Sequence, residues 1–249
     1  MHYVTLTTQF RSTSVYLTLD IGNTRSKFAL FDTAGKLLQS GVSDNVAELL
    51  SSHAQLSGLA YCNVSGAELA ALNHFKGFVL EMNSSQKLPF RVNYQTPQTL
   101  GADRLAAAAG AVHFFPGKDV LIVDAGTCLK IDLVDKNSVF QGGSISPGLN
   151  MRYRALKEFT GRLPMVEDEE FNHWPGSSTK ESILSGVRLG FLAEAETRIE
   201  EIEKNCPGVQ VVLTGGDAHL LAKRLKTRIF VEPLLLHFGL FELLLLNEN

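Results

Sequence analysis

Leu121-Ile-Val-Asp-Ala-Gly-Thr127, running on through Cys128-Leu-Lys-Ile-Asp-Leu-Val-Asp135, is the stretch on which the fold turns. Its apolar start reads as a buried strand, Asp124-Ala-Gly-Thr127 as a tight turn, and the residues after it as a return strand. The turn carries a carboxylate, a glycine that lets the backbone approach another group closely, and a hydroxyl. Those are the parts of a phosphate and cation loop. An earlier stretch, Leu17-Thr-Leu-Asp20-Ile-Gly22-Asn-Thr24, has the same order of Asp, Gly and Thr after an apolar strand. It passes through Lys27 to Phe31-Asp32 as the later copy passes through Lys130 to Val134-Asp135. A single Asp-x-Gly is ordinary hairpin punctuation. Two copies after matching strands predict an internal repeat, with two related half-domains each offering a loop to a shared cleft.

With 249 residues the chain can bury a sizeable core, as one large domain or two half-domains. The repeat favours the second, and the boundary is expected between 15–114 and 115–249, with 1–14 as an extension before the first strand. A net charge of −3 gives no basic footprint, so small molecules are better candidate partners than nucleic acid. Cys62, Cys128 and Cys206 have neither disulfide nor metal-ligand spacing, which fits a reducing cytoplasm. No apolar run is long enough to predict a membrane span, and the first residues lack a signal-peptide layout.

Val15 to Asp20, Lys27 to Phe31 and Leu37 to Val42 are expected to form a meander. Helices are expected from Asp44 to Leu50 and Ala67 to Phe75, and strands at Leu59 to Asn63 and Phe78 to Glu81. Asn83 to Pro97 reads as an irregular, substrate-facing loop, and Asp103 to His113 as an Ala-rich helix. In the second half, Val139 to Ser144 is the third strand, and the loop from Gln141 to Gly148 leads into a helix near Asn150 to Phe159. Residues 161–176 read as an excursion. Ser178-Thr-Lys-Glu181 has capping-box spacing for a helix to Asn205. Gly186 and Gly190, one turn apart on it, predict close approach by another element. Val209 to Thr214, Gly215-Gly216-Asp217, a helix to Leu225, the strand Arg228 to Val231 and a helix from Leu234 to Leu246 complete the chain.

Phosphoryl transfer depends on positioning and on neutralising charge, which is what these loops offer. Gly22 and Gly126 let backbone reach phosphate oxygens, and Thr24 and Thr127 can donate to them. Asp20 and Asp124 only accept, so they would hold cations, Mg²⁺ most naturally at one of them. Lys27 could reach phosphate or stand exposed on its strand. No Walker loop or protein-kinase catalytic loop occurs, and Gly215-Gly216 could pack a base and ribose. Asp103, in a first helical turn, either offsets the helix dipole or accepts a proton from an attacking alcohol. Arg104 beside it could grip a substrate carboxylate.

The ordered set resembles the type III pantothenate kinase family, within the acetate and sugar kinase, Hsp70 and actin superfamily. Asp20-Ile-Gly-Asn-Thr24 with Lys27 resembles the first phosphate motif, Gly101-Ala-Asp-Arg104 the pantothenate and catalytic motif, and Asp124-Ala-Gly-Thr127 the second phosphate motif. Gly142 to Gly148 resembles an interface loop, Thr179 with Ser182 and Gly186 a substrate-side helix start, and Thr214 to Ala218 the nucleoside end. The resemblance implies an α/β fold of two ribonuclease H-like half-domains, each a mixed sheet with flanking helices, around a central nucleotide cleft. It implies an ATP-dependent kinase acting on pantothenate, the first step of coenzyme A synthesis, with Asp103 as general base. Substrate contacts would be Tyr94, Gly101, Ala102, Asp103, Arg104 and Thr179. ATP contacts would be Asp20, Ile21, Gly22, Asn23, Thr24, Arg25, Ser26, Lys27, Thr127, Gly215 and Gly216. It further implies Mg²⁺ at Asp20, K⁺ or NH₄⁺ at Asp124, and a homodimer. Gln98, where the family often has Glu, and Cys128 depart from the pattern. The rivals are a kinase of another small alcohol, such as a sugar, and an accessory protein of the Baf type.

Overall fold

The computed structural model describes residues 14–22, 26–53, 55–63 and 70–248. Asn23, Thr24 and Arg25 of the first loop lie outside the described residues, as do 1–13 of the expected extension and 64–69 at the start of the expected helix Ala67 to Phe75.

Five strands, β1 (Val15–Ile21), β2 (Ser26–Asp32), β3 (Leu37–Ser43), β4 (Leu56–Asn63) and β5 (Phe78–Glu81), form one sheet in the order β3-β2-β1-β4-β5. A short β6 (Arg91–Val92) precedes β7 (Val120–Ala125), β8 (Cys128–Asp135), β9 (Val139–Pro147), β10 (Gln210–Thr214) and β11 (Ile229–Val231). These six form the second sheet, in the order β11-β10-β7-β8-β9-β6. Setting β6 aside, the two sheets share one strand succession, which is the internal repeat made physical. Tight turns force antiparallel pairing within each meander, and the parallel partners β4 and β10 need longer crossovers.

Helix α1 (Val46–Ser52) supplies the first crossover and is capped by Asn45, whose side chain accepts from Glu48 N. The Ala-rich α2 (Ala102–Phe114) and the C-terminal α7 (Leu235–Glu248) lie between the sheets. There they join Tyr16, Phe31 and Ala60 of the first sheet to Val120, Ile122 and Val212 of the second in one core. On the far side of the second sheet pack α3 (Leu149–Glu158), α4 (Thr179–Leu184), α5 (Gly190–Asn205) and α6 (Ala218–Ala222). β1 and β7 are thus covered on both faces, which is why they read as continuous apolar runs. In α7, Leu235, Leu240, Leu243 and Leu244 are fully buried, each contributing roughly 1.5–3 kcal/mol of burial free energy.

Several expectations need correction. The described part of the helix expected at Ala67 to Phe75 is one tight 3-10 turn, Ala70–His74. Asn83 to Pro97 is not wholly irregular, because β6 adds to β9 as an edge strand. β9 runs on to Pro147 where a loop was expected, since Gly142, with φ +88°, absorbs a register shift opposite Leu133/Val134 and pairing then resumes. The helix from Ser178 to Asn205 is continuous but carries a π-turn at Ser185–Leu189. An added Cβ on Gly186 or Gly190 would meet nothing within 4 Å, so no described element of this chain approaches either glycine. Close approach occurs instead where α2 crosses α7. A Cβ on Gly239 would overlap Ala106 O and stand 2.7 Å from Gly110 N, and one on Gly110 would overlap Leu235 O.

Candidate active site

Each central strand carries an aspartate one residue before its end, with equivalent neighbours. Asp20 pairs across the sheet with Lys27 of β2 and Cys62 of β4, while Asp124 pairs with Lys130 of β8 and Thr214 of β10. The two ends converge. Burial raises the Asp20 carboxyl above its ordinary range, with Lys27 pulling the other way, and it also feels the charges of Asp103, Lys130 and Asp124. Cys62 lies beneath the same group, its thiol pushed well up by burial and by the Asp20 and Asp103 carboxylates.

α2 points its first turn at this convergence, with Gly101 as its N-cap. Asp103 Oδ1 accepts from Arg104 N at 2.9 Å, and a Cβ on Gly101 would stand 2.5 Å from that oxygen. Glycine at 101 is therefore what leaves room for the carboxylate. Lys130 Nζ lies 2.6 Å from Asp103 Oδ2 and 2.7 Å from Asp124 Oδ2, with all three side chains largely enclosed. Burial disfavours the ammonium, but the Asp124 and Asp103 carboxylates outweigh it and raise the lysine above its ordinary value.

Lys130 and Asp132 alternate onto one face of β8, so the next residue of α2 meets the next inward residue of the strand. Arg104 Nε donates to Asp132 Oδ2 at 3.0 Å, and Nη2 pairs with Asp132 Oδ1. The guanidinium also faces the Tyr94 and Phe140 rings, at 5.7 and 5.5 Å from their centroids. A residue expected to face a substrate carboxylate is thus 5% exposed and engaged by an internal one. Gly143 opposite leaves room for it, since a Cβ there would crowd Asp132 and overlap Ile131 O. Tyr94 lies against Gly142, its ring 3.4 Å from where a Cβ would be.

The second loop is held from two sides. Gly148 N donates to Thr127 O at 3.1 Å, and Asp217 N donates to Ala125 O at 2.9 Å. Gly215 has φ +89°, and a Cβ on it would stand 2.6 Å from Asp124 Oδ1 and inside contact distance of Ala125 O. An open cleft of about 560 Å³ lies over these loops, lined by Lys27, Gly126, Thr127 and Gly216 together with Asn150 and Arg154 of α3. Three expected nucleotide segments therefore meet at one concavity. Thr179 sits elsewhere, in an apolar groove with Met151, Phe159 and Gly186.

Lys130, Asp132, Asn150 and Arg154 were not singled out from the sequence. For Lys130 a signal was present, because it occupies the place in the second copy that Lys27 occupies in the first. Asp132 follows from it by strand alternation. The α3 residues had no such mark.

Mg²⁺ carried by a nucleotide fits Asp20, since that ion keeps water and takes one or two carboxylates plus phosphate oxygens. A free monovalent ion beside Asp124 does not fit, because the Lys130 ammonium already occupies the face of that carboxylate turned toward Asp103. Among the described residues no group of three or more His, Cys, Asp or Glu is arranged to hold a metal ion. Nor is any described helix long and apolar enough to cross a membrane.

Known proteins agree with this arrangement. A structure described as a conserved Baf family transcriptional activator from Campylobacter jejuni superposes with a TM-score of 0.58 at 26% identity, covering 91% of this chain and 96% of its own. The activator of 2-hydroxyisocaproyl-CoA dehydratase from Clostridium difficile, solved with bound ADPNP, gives 0.56 at 16% identity over 94% of both chains, a likeness of fold. The type III pantothenate kinase of Flavobacterium psychrophilum is 39% identical over 222 residues, 86% of this chain and 92% of its own. The family profile described as type III pantothenate kinase matches residues 16–201, from the first acidic turn through α2 and the second turn into α5, and the chain belongs to that family.

Proposed function

We propose that this enzyme transfers the γ-phosphoryl group of ATP to the primary alcohol of pantothenate, giving 4′-phosphopantothenate and ADP at the start of coenzyme A synthesis, with Asp103 as general base. The observation that carries the site assignment is the meeting of Asp103 with both acidic strand ends, next in sequence or in sheet register to the cleft-lining Gly126, Thr127 and Lys27. Asp103 takes the hydroxyl proton as the alcohol oxygen bonds to the γ-phosphorus and the bond to the β,γ-bridging oxygen breaks, releasing ADP. The Asp20 to Lys27 segment and Thr127 hold the triphosphate, while Gly215 and Gly216 let the nucleoside lie close to backbone. When bound, Mg²⁺ neutralises charge on the phosphate oxygens, and Asp20 is the residue that would hold it. Tyr94, Gly101 and Ala102 bound the pantothenate side.

The reaction would run in the cytoplasm in a homodimer. Supporting that assembly, Met151 and Phe159 are exposed apolar side chains lining the groove that contains Thr179. Light scattering of the purified chain checks the dimer. A coupled assay of ADP release checks the reaction: pantothenate is expected to drive turnover and hexoses are not. Equal or greater turnover with a hexose would overturn the substrate assignment.

A further inference from the structure

The two lysines of the repeat have different surroundings. Lys27 is exposed at the mouth of the cleft, whereas Lys130 is enclosed between two carboxylates from different elements. An alkylammonium is NH₄⁺ with one hydrogen replaced by carbon, so its charge and its hydrogen-bond donors act where an ammonium ion would. Nζ bridges Asp124 Oδ2 and Asp103 Oδ2, which ties the proposed base to the second phosphate loop. Gly215 stands near the other carboxylate oxygen, since a Cβ on it would lie 2.6 Å from Asp124 Oδ1. An ion entering beside Asp124 would have to displace a covalently tethered competitor present at very high effective concentration.

We propose that Lys130 is a built-in monovalent cation: a positioning residue whose ammonium holds Asp103 and Asp124 in register, and which makes free K⁺ or NH₄⁺ unnecessary for turnover. This rests on the kinase reading above, and the test separates the two. The purified full chain is assayed with ATP, Mg²⁺ and pantothenate in Na⁺, K⁺, NH₄⁺ and tetramethylammonium chlorides at matched ionic strength, and its thermal midpoint is recorded in each salt. For the unaltered chain, rates are expected to agree within about two-fold and midpoints to coincide. Lys130→Met, which keeps the length and removes the charge, is expected to lose at least about ten-fold in turnover in Na⁺. It should regain much of that, and rise in midpoint, in NH₄⁺ or K⁺. Stimulation of the unaltered chain by K⁺ of ten-fold or more would overturn the proposal while leaving the kinase reading intact. Absence of pantothenate-dependent ADP release in every salt would instead overturn the kinase reading. If Lys130→Met does not fold, the salt series on the unaltered chain decides alone.

Discussion

Lys130 Nζ stands 2.6 Å from Asp103 Oδ2, so the first turn of α2 is tied to the middle of β8. That link sets where the proposed base points. Arg104 and Asp132 repeat it one residue further along the helix and two further along the strand, so two charge pairs fix the helix on the strand.

Replacing Asp103 by Asn tests the base with little change of shape: the amide oxygen can still accept from Arg104 N, while the NH2 in place of Oδ2 cannot accept from Lys130. The variant is expected to fold and to lose about 10²–10⁴-fold in kcat, the usual worth of a general base. Steady-state kinetics alongside a circular dichroism melt checks it; near-normal kcat in a folded variant would remove Asp103 from that role.

Gly215→Ala places a side chain at φ +89° and against Ala125 O and Asp124 Oδ1. A loss of about 1–3 kcal/mol in urea unfolding is expected, from strain at this position, with a raised KM for ATP as the second loop shifts. Gly216→Ala, whose Cβ would meet nothing within 4 Å, serves as the control and should leave stability close to unchanged.

Arg104→Met leaves the Asp132 carboxylate buried without its partner, a change expected to cost about 3–5 kcal/mol. Adding Asp132→Leu should restore much of the loss, since an apolar pair of similar volume needs no ionic partner. A double-mutant cycle by chemical denaturation measures it, and additive losses would show that the two charges do not depend on each other.

Where α2 crosses α7, Gly239→Ala is expected to lower stability by about 1–3 kcal/mol or more, because the backbones of Ala106 and Gly110 leave no room for a methyl group. Gly190→Ala, in open space on the outer helix, should raise it by roughly 0.5–1 kcal/mol. Opposite signs in thermal unfolding are the observation to look for.

His237 on α7 is buried, with Nδ1 2.9 Å from Thr18 Oγ1 and Nε2 without a hydrogen-bond partner among the described residues. Burial, reinforced by the Lys27 charge, lowers its pKa to about 4 from an ordinary 6.5. Between those values the unfolded chain binds the proton and the native one does not. Its contribution is therefore intact above pH 6.5 and is lost as the pH falls toward 4, by about 3 kcal/mol at the low end. His237→Asn should flatten the thermal midpoint over that window; an unchanged slope would assign the acid sensitivity to other groups.

The elements with local signals were legible. Apolar runs ending in Asp-x-Gly mark the hairpins, and alanine content with a following Pro116-Gly117 marks α2. What lacked a local signal was misread. The π-turn at Ser185–Leu189 has no composition of its own, and β6 exists only because β9 offers an edge. Glycine spacing at Gly186 and Gly190 predicts close approach, which no described element of this chain supplies; within the chain, close approach is at Gly110 and Gly239, which come together from α2 and α7. The charge of Arg104 was read outward because its partner Asp132 lies on another element.

By itself the sequence determined the paired strand-turn-strand units and the acids at their ends, because side-chain alternation and turn chemistry act over a few neighbouring residues. The tertiary structure alone decided what those charges do. Lys27 and Lys130 hold the same place in the repeat, but the start of α2 brings Asp103 to the second and leaves the first facing the cleft. Whether an ammonium is a free hand for phosphate or a fixed bridge between carboxylates depends on which distant element docks beside it.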